Sequence, residues 1–242
     1  MGSREDEQTK DYFQTNTPEY WGGRYNDVIQ FLDRVAVAEM SLLDIGCGTG
    51  NILAAIRAGT CLTSLTGVDT SSAYLQKARE KGFETHQGSI TDGASLVSLG
   101  KQFDFVLVGA VLHHLVASSR KNSRALAELA LKNALSITRR GGRLIVMEPT
   151  FRPRLTMTVV FHLKRLMSRI TKRRIELFGK WNNIGEPIVS YYSTDDVDAM
   201  VRAADPNLVH EQRHVRERAL PLIWRLAGVT ERSDVVLVLR RP

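Results

Sequence analysis

The segment LLDIGCGTGN, residues 42 to 51, joins a short apolar run to three glycines at alternate positions. The apolar run is typical of a buried strand, and NILAAIRAG (51 to 59) has the pattern of a helix that ends at a glycine. A loop between a parallel strand and a helix N-terminus binds ligands in α/β folds, because backbone N–H groups and the helix dipole converge there. Gly46, Gly48 and Gly50 would let a ligand approach the main chain.

Strands and helices alternate along the rest of the chain, as in a parallel sheet covered on both faces by helices. The predicted elements are strands at 62 to 69, 83 to 87, 103 to 109 and 143 to 149, helices at 71 to 82 and 123 to 140, and a turn at Gly141-Gly142. A capped helix pattern at 193 to 204 precedes two last strands, 208 to 217 and 233 to 241. Their short connection permits an antiparallel pair. The sequence therefore predicts a doubly wound α/β fold with a mostly parallel, seven-stranded sheet and an antiparallel last strand.

Length and composition indicate a single globular domain. The chain has 242 residues, of which 43% are hydrophobic, and no apolar run reaches the roughly 18 residues of a spanning helix. Residues 1 to 16 are polar and expected to be mobile, which leaves 17 to 242 as one domain. The charged N-terminus lacks the apolar run of a secretory signal, and Cys47 and Cys61 do not form a disulfide framework. A cytoplasmic location is expected.

The net charge of +7 comes from one segment. No acidic residue lies between Glu148 and Glu176, whereas the segment contains eight basic residues. They are Arg152, Arg154, Lys164, Arg165, Arg169, Lys172, Arg173 and Arg174. The basic character is therefore a local feature. Nucleic acid is a disfavoured partner, because the segment lacks interleaved aromatic residues apart from Phe151 and Phe161, and no separate RNA-binding module is present.

Two aspartates indicate what the glycine loop binds. Asp69 ends the second strand 19 positions after Gly50, where a carboxylate can accept hydrogen bonds from ribose hydroxyls. Asp44 precedes the first glycine by two residues, suits an ammonium group and would repel a pyrophosphate. Asn51 also interrupts the glycine spacing of dinucleotide sites. The loop therefore favours an adenosine-type cofactor that carries an amino acid.

These motifs, together with QGSITD (87 to 92), FDFVLVGAVLHHL (103 to 115) and RRGGRLIVMEP (139 to 149), resemble the class I S-adenosylmethionine-dependent methyltransferases of the Rossmann-like, small-molecule type. The resemblance covers roughly residues 20 to 150. It implies S-adenosylmethionine as the cofactor, with S-adenosylhomocysteine as the product.

The resemblance also implies a set of cofactor contacts. Asp44 would steer the ammonium group and Asp69 would hold the ribose. The methionine half would lie along Gly46, Cys47, Gly48, Thr49 and Gly50; Thr70 and Ser71 would border the adenosine, Ser89 and Ile90 the adenine, and Gly109 and Ala110 the methyl group. Many members of the family have Asp where this chain has Ser89.

Two histidines lie immediately beyond the fourth strand, near the expected methyl group. His113 and His114 have a pKa range suited to proton transfer, and His114 is the favoured catalytic base; packing or backbone bonding is the alternative for both. Similar quinone-pathway O-methyltransferases carry metal-binding carboxylates where this chain has Ala110 and His113, so no metal is expected. The Asn-Pro-Pro-Tyr motif of amide and nucleobase N-methyltransferases is absent. Oxygen is the favoured acceptor atom, with a simple amine or carbon left open.

Residues 150 to 190 are expected to form a helical lid after the fifth strand. On a helix, one face would carry Val159, Val160, Leu163, Leu166, Met167 and Ile170, and the opposite face His162, Arg165, Arg169, Lys172 and Arg173. Residues 155 to 174 could lie on an anionic membrane surface, at the inner face of the membrane, and admit a lipid-like acceptor. Alternatively, the charges attract an anionic substrate, or the apolar face packs on the core.

Aromatic and polar side chains of the N-terminal segment and of the stretch 181 to 192 are candidates for lining the acceptor pocket. They are Tyr20, Trp21, Arg24, Trp181, Asn182, Asn183, Tyr191 and Tyr192. Arg24 could instead pair with the cofactor carboxylate, and the aromatic residues could serve only in packing.

The sequence thus predicts an S-adenosylmethionine-dependent methyltransferase that acts on a small or lipid-like acceptor at oxygen. The alternatives are a non-catalytic S-adenosylmethionine-binding regulator or scaffold, and an N- or C-methyltransferase with an anionic substrate. The pattern leaves the oligomeric state open.

Overall fold

A seven-stranded sheet organises the protein. The computed structural model describes residues 23 to 170 and 188 to 242, with the side chains of the first range up to residue 166. The strands are β1 (Ser41–Ile45), β2 (Ser64–Asp69), β3 (Glu84–Gln87), β4 (Phe103–Gly109), β5 (Thr138–Arg152), β6 (Val209–Glu217) and β7 (Glu231–Arg240). Their order in the sheet is β3-β2-β1-β4-β5-β7-β6.

The strands run parallel except at one position. β7 pairs antiparallel with both of its neighbours, β5 and β6, whereas the pairs among β1 to β5 are parallel. The predicted doubly wound fold with an antiparallel last strand is confirmed. β4 is the central strand with β1 beside it, and the order of strands reverses between β1 and β4, which is where ligands bind in open α/β sheets.

Helices connect the strands. They are α1 (Asn26–Val35), α2 (Asn51–Gly59), α3 (Ser72–Glu80), α4 (Gly93–Val97), α5 (Arg120–Ser136), α6 (Arg154–Ile170), α7 (Thr194–Ala204) and α8 (Leu222–Leu226), and a 3-10 turn spans Leu112–His114. The bounds of α2 and β4 agree with the sequence prediction. Within the described ranges, no helix is both long and apolar enough to cross a bilayer.

The predicted Gly141-Gly142 turn lies inside β5 as a bulge. Phe103 pairs with Thr138 and Phe105 with Arg143, so several residues of β5 stand opposite one residue of β4. Gly141 adopts a left-handed φ of +76° there. The prediction that the strand begins after the turn is wrong, because the bulge keeps both arms of the segment in the sheet.

Alternate residues of the central strands build two apolar layers. Val106 and Val108 of β4 face the layer that includes α5 and α7, whereas Phe105 and Leu107 face the layer that includes α1 and α2. All four side chains are fully buried. Burial on both faces explains why β4 is almost continuously apolar, and it fixes the loops at the carboxyl ends of the strands.

Helix α6 turns its leucine-rich stripe to solvent. Leu155, Val159, Leu163 and Leu166 are between 50% and 75% exposed, although they follow one another at spacings of three and four residues. Met157, Phe161 and Lys164 occupy the buried side instead. The interpretation that the apolar face packs on the core is therefore wrong for Val159, Leu163 and Leu166. Among the side chains of that face that the structure describes, Val160 packs partly against a core cluster.

Several sequence predictions fall outside the described residues. They are the mobile segment 1 to 16, the side chains of Met167, Arg169 and Ile170, and residues Lys172 and Arg173. The division into an N-terminal segment, one domain and a lid stays a prediction.

Candidate functional site

The glycine loop lies between β1 and α2. Gly46, Gly48 and Gly50 adopt φ values of +82°, +54° and +73°, a conformation that L side chains rarely adopt. A Cβ at Gly46 would lie 2.5 Å from Cγ2 of Val111, so the loop and the segment after β4 approach too closely for a side chain. A Cβ at Gly48 would meet no atom within 4 Å. The backbone at Gly48 therefore faces open space that a ligand can fill.

Asp69 is fixed next to that space by two backbone donors. The N–H of Gly48 donates to its Oδ2 at 2.9 Å, and the N–H of Ser71 donates to its Oδ1 at 2.9 Å. Burial raises the pKa of Asp69, while these hydrogen bonds lower it. Ser71 in turn caps α3 by accepting the N–H of Tyr74. The carboxylate has a set orientation and retains lone pairs for ligand hydroxyls.

Asp44 is a buried carboxylate without an ionic partner among the described residues. Only 3% of its surface is exposed. Burial, and then the charge of Asp69, raise the pKa of Asp44 to about 7. A ligand ammonium would offset both effects. The pair of carboxylates therefore fits a ligand with an ammonium group and neighbouring hydroxyls.

The other loop residues offer their backbone. The Cys47 side chain packs beneath the loop, where a Cβ on Gly67 would come within 2.6 Å of its Sγ, and burial raises the pKa of its thiol. Thr49 is buried, and its carbonyl accepts the Lys81 ammonium at 2.7 Å. Lys81 also donates to the Asn51 side chain. The sequence analysis missed Lys81, whose position after α3 gave no local signal.

The predicted adenine side is held by local hydrogen bonds. The hydroxyls of Ser89 and Thr91 lie 2.9 Å apart, and Ile90 is buried. Asp92 caps α4 by accepting the N–H of Ala94 at 3.1 Å. Thr70 accepts a hydrogen bond at its carbonyl from the side chain of Gln87. Contacts of Thr70, Ser89 and Ile90 with a cofactor stay predictions.

The end of β4 is strained and closely packed. Ala110 has a φ of +57°, and it is the one non-glycine residue with a left-handed backbone among those described. Its N–H donates to Met147 O at 2.7 Å, which holds the strained peptide in place. A Cβ on Gly109 would lie 2.8 Å from the Tyr25 hydroxyl. Tyr25, which the sequence analysis missed, therefore closes this corner against Gly109.

A buried carboxylate–histidine pair lies directly beyond Ala110. His113 Nδ1 and Glu148 Oε2 are 2.7 Å apart, and the N–H of Leu112 donates to Glu148 Oε1 at 2.7 Å. Burial lowers the pKa of His113 to about 3 and raises that of Glu148 to about 7. With Nδ1–H donating to the carboxylate, the other ring nitrogen keeps its lone pair and can accept a proton.

Glu148 was not among the predicted site residues, although it lies within the motif RRGGRLIVMEP (139 to 149). The available signal was an acidic residue at the carboxyl end of an otherwise apolar strand. His114, the favoured base, has its ring centroid 4.0 Å from that of His113. Burial, and then the charge of His113, hold the pKa of His114 well below its usual range. Glu148 is hydrogen-bonded to His113, and its charge also acts on His114, where it raises the pKa.

The pocket candidates separate in the structure. The Tyr191 ring stacks on the His113 ring with their centroids 5.3 Å apart, whereas Tyr192 is buried in the apolar layer that includes α5 and α7. Arg24 Nε donates to the Asp234 carboxylate at 3.2 Å, so its predicted contact with a cofactor carboxylate stays a prediction. Tyr20, Trp21, Trp181, Asn182 and Asn183 lie outside the described residues. In the part of the chain that the structure describes, His, Cys, Asp and Glu form no group of three or more suited to a metal ion.

Comparison with known proteins identifies the family of this chain. Residues 19 to 211 match a family model described as "Methyltransferase domain". The chain belongs to this methyltransferase family. Membership implies S-adenosylmethionine as the cofactor, and the residues present fit it: Asp44 and Asp69 would hold its ammonium and ribose, and the open backbone at Gly48 would border it. When bound, this cofactor supplies an electrophilic methyl group.

Individual relatives of this methyltransferase are distant or match locally. It is 40% identical over 62 residues to a trans-aconitate 2-methyltransferase of Enterobacter sp. (strain 638), a match spanning 25% of either chain. A solved S-adenosylmethionine-dependent methyltransferase of Anabaena variabilis has a TM-score of 0.63 at 14% identity, covering 98% of this chain and 94% of that one. One from Methanosarcina mazei has a TM-score of 0.55 at 15% identity, covering 87% and 97%. At such identities these structures show the fold alone.

Proposed function

We propose that the protein transfers the methyl group of S-adenosylmethionine to a hydroxyl oxygen of a small or lipid-like acceptor. The observation that carries this proposal is the buried pair of His113 and Glu148, 2.7 Å apart and directly beyond the strained Ala110. Methyl transfer itself depends mainly on positioning. A base is useful only where the acceptor must lose a proton, and a hydroxyl acceptor must do so.

The roles of the two residues follow from their hydrogen bond. Glu148 holds the His113 ring through Nδ1 and is itself fixed by the N–H of Leu112. His113 would take the hydroxyl proton at its second nitrogen, and the Glu148 carboxylate would stabilise the imidazolium. Because the two groups titrate as a unit, the pair is a competent base once Glu148 has lost its proton, at a pH above about 7.

Turnover with matched acceptors tests the proposal. The purified protein is incubated with S-adenosylmethionine and a panel of phenols, long-chain alcohols and the corresponding amines and carboxylates, and S-adenosylhomocysteine and methylated products are measured by mass spectrometry. Methyl ethers are the expected products. Products from the amines alone would contradict the oxygen assignment. If the cofactor binds in titration calorimetry but no member of a broad panel is methylated, a non-catalytic binding module replaces the proposal.

An anionic acceptor is the second candidate. Two observations favour it: the local match to a trans-aconitate methyltransferase, and the buried Lys164, whose charge acts on His114 at the lid. A carboxylate acceptor has no proton to lose, so its methylation would not depend on Glu148. Activity with polycarboxylates that is unchanged in Glu148→Gln would favour this candidate.

A further inference from the structure

Helices α6 and α8 lie next to each other and both expose large apolar side chains. Met157 and Trp224 belong to one packed cluster, and the Thr156 hydroxyl donates to Gly228 O at 3.1 Å. The exposed residues are Leu155, Val159, Leu163 and Leu166 on α6, and Leu222, Ile223 and Leu226 on α8. This set is called the leucine surface below.

The leucine surface is unusual for a protein that works alone in water. Single exposed apolar residues are common, whereas a helix stripe of this kind marks an interaction site. On α6 the usual burial of apolar and charged side chains is reversed, because Lys164 is only 6% exposed whereas Leu155 is 75% exposed. The helix therefore directs its apolar stripe away from the core that could have covered it.

Basic residues flank the leucine surface, and one of them, Arg154, pairs with Asp196 at 3.3 Å. The sequence has no acidic residue from position 149 to 175, and Arg154 and Arg225 are exposed on α6 and α8. His162 is exposed next to Leu163, and Arg165 follows on the same helix. Helices that lie at the interface between water and an anionic bilayer typically have exposed leucines flanked by basic residues.

We propose that the leucine surface docks the protein on an anionic lipid bilayer. A second copy of the chain fits less well, since a two-fold contact through this face would bring the same positive charges together. The candidate functional site lies close to this surface. Arg165 Nη1 donates to Ala117 O at 2.8 Å, and the charge of Lys164 contributes to the lowered pKa of His114. Docking would therefore place the loop of His113 and His114 next to the membrane.

This inference goes beyond the proposed function, because binding to a bilayer does not require any particular acceptor. Its test is flotation of the full chain with vesicles of phosphatidylcholine alone, or with about a third phosphatidylglycerol. The stripe variant carries Leu155→Ser, Val159→Ser, Leu163→Ser and Leu166→Ser. The matched control changes four exposed apolar residues elsewhere, Val37→Ser, Val97→Ser, Leu129→Ser and Val209→Ser, which are between 41% and 63% exposed.

Wild type and control are expected to float with the vesicles that contain phosphatidylglycerol and not with those of phosphatidylcholine alone. The stripe variant is expected to bind the anionic vesicles at least about tenfold more weakly. Equal flotation of the stripe variant, or no flotation of wild type, would overturn the proposal. The proposal would also be overturned if wild type did not float but sedimented as a dimer, and the stripe variant sedimented as a monomer. The leucine surface would then join two copies of the chain. Titration with S-adenosylmethionine separates the questions: equal affinity in all three proteins shows that cofactor binding is independent of docking.

Discussion

The two sides of the site differ in how they are built. The cofactor side consists of neighbours along the chain or on adjacent strands, such as the glycine loop, Asp44 and Asp69. The chemical side joins His113, in the 3-10 turn after β4, to Glu148, which is 35 residues away on β5. The cofactor side is formed by backbone groups that are close along the chain or on adjacent strands, whereas the chemical side depends on long-range packing. Changes on one side should therefore leave the other intact.

The largest effect is expected from Glu148→Gln. Glutamine keeps the shape and can still accept the N–H of Leu112, but it cannot stabilise an imidazolium at His113. We expect kcat to fall by about a hundredfold or more, because general bases contribute roughly 10² to 10⁴. Calorimetric affinity for S-adenosylmethionine should stay within about twofold. A matched loss of affinity and turnover would show that the two sides are not separable.

The pH dependence of that variant sharpens the assignment. In wild type, kcat at saturating cofactor should fall as the pH drops below about 7, where Glu148 becomes protonated. Glu148→Gln should lose this limb of the profile along with most of its rate. An unchanged limb in the variant would assign the titration to another group and would leave Glu148 a purely structural residue.

The next effect is expected from Asp44→Asn, which changes the cofactor side. Losing the partner of a ligand ammonium should weaken S-adenosylmethionine by about ten- to a hundredfold. The cofactor-free protein should become more stable, because burial raises the pKa of Asp44 from 3.8 to about 7 and the charged form therefore costs stability as the pH rises through this range. Thermal unfolding checks this gain. A variant that binds the cofactor normally would contradict the assigned role.

A smaller contrast is expected within the glycine loop. Gly46→Ala should destabilise the protein by about 1 to 3 kcal/mol, since its φ is +82° and the new Cβ would lie 2.5 Å from Val111. Gly48→Ala has open space, so its stability cost should be about 1 kcal/mol while its cofactor affinity falls. Urea unfolding and calorimetry measure both quantities. Equal destabilisation by the two changes would contradict the different surroundings of the two glycines.

The cofactor side could be predicted from the sequence, whereas the chemical side could be predicted only in part. The glycine loop, Asp69 and the alternation of strands and helices along the chain follow local rules of spacing and periodicity, and the observed bounds of α2 and β4 match them. The partner of His113 could not be predicted, because it depends on the register of β5 next to β4. The helical pattern of α6 was recognised, but its buried side was not, since burial of Lys164 in place of Leu163 is decided by tertiary contacts.

The most direct measurement is calorimetric titration of the wild-type protein and Asp44→Asn with S-adenosylmethionine, across a pH range centred on about 7, in buffers of different ionisation enthalpy. Wild-type affinity should rise with pH and binding should release a proton below about pH 7, because the ligand ammonium requires the ionised form of Asp44. The variant should bind weakly with no such proton release. Absence of binding by wild type, or identical proton release in both proteins, would contradict this account of the site.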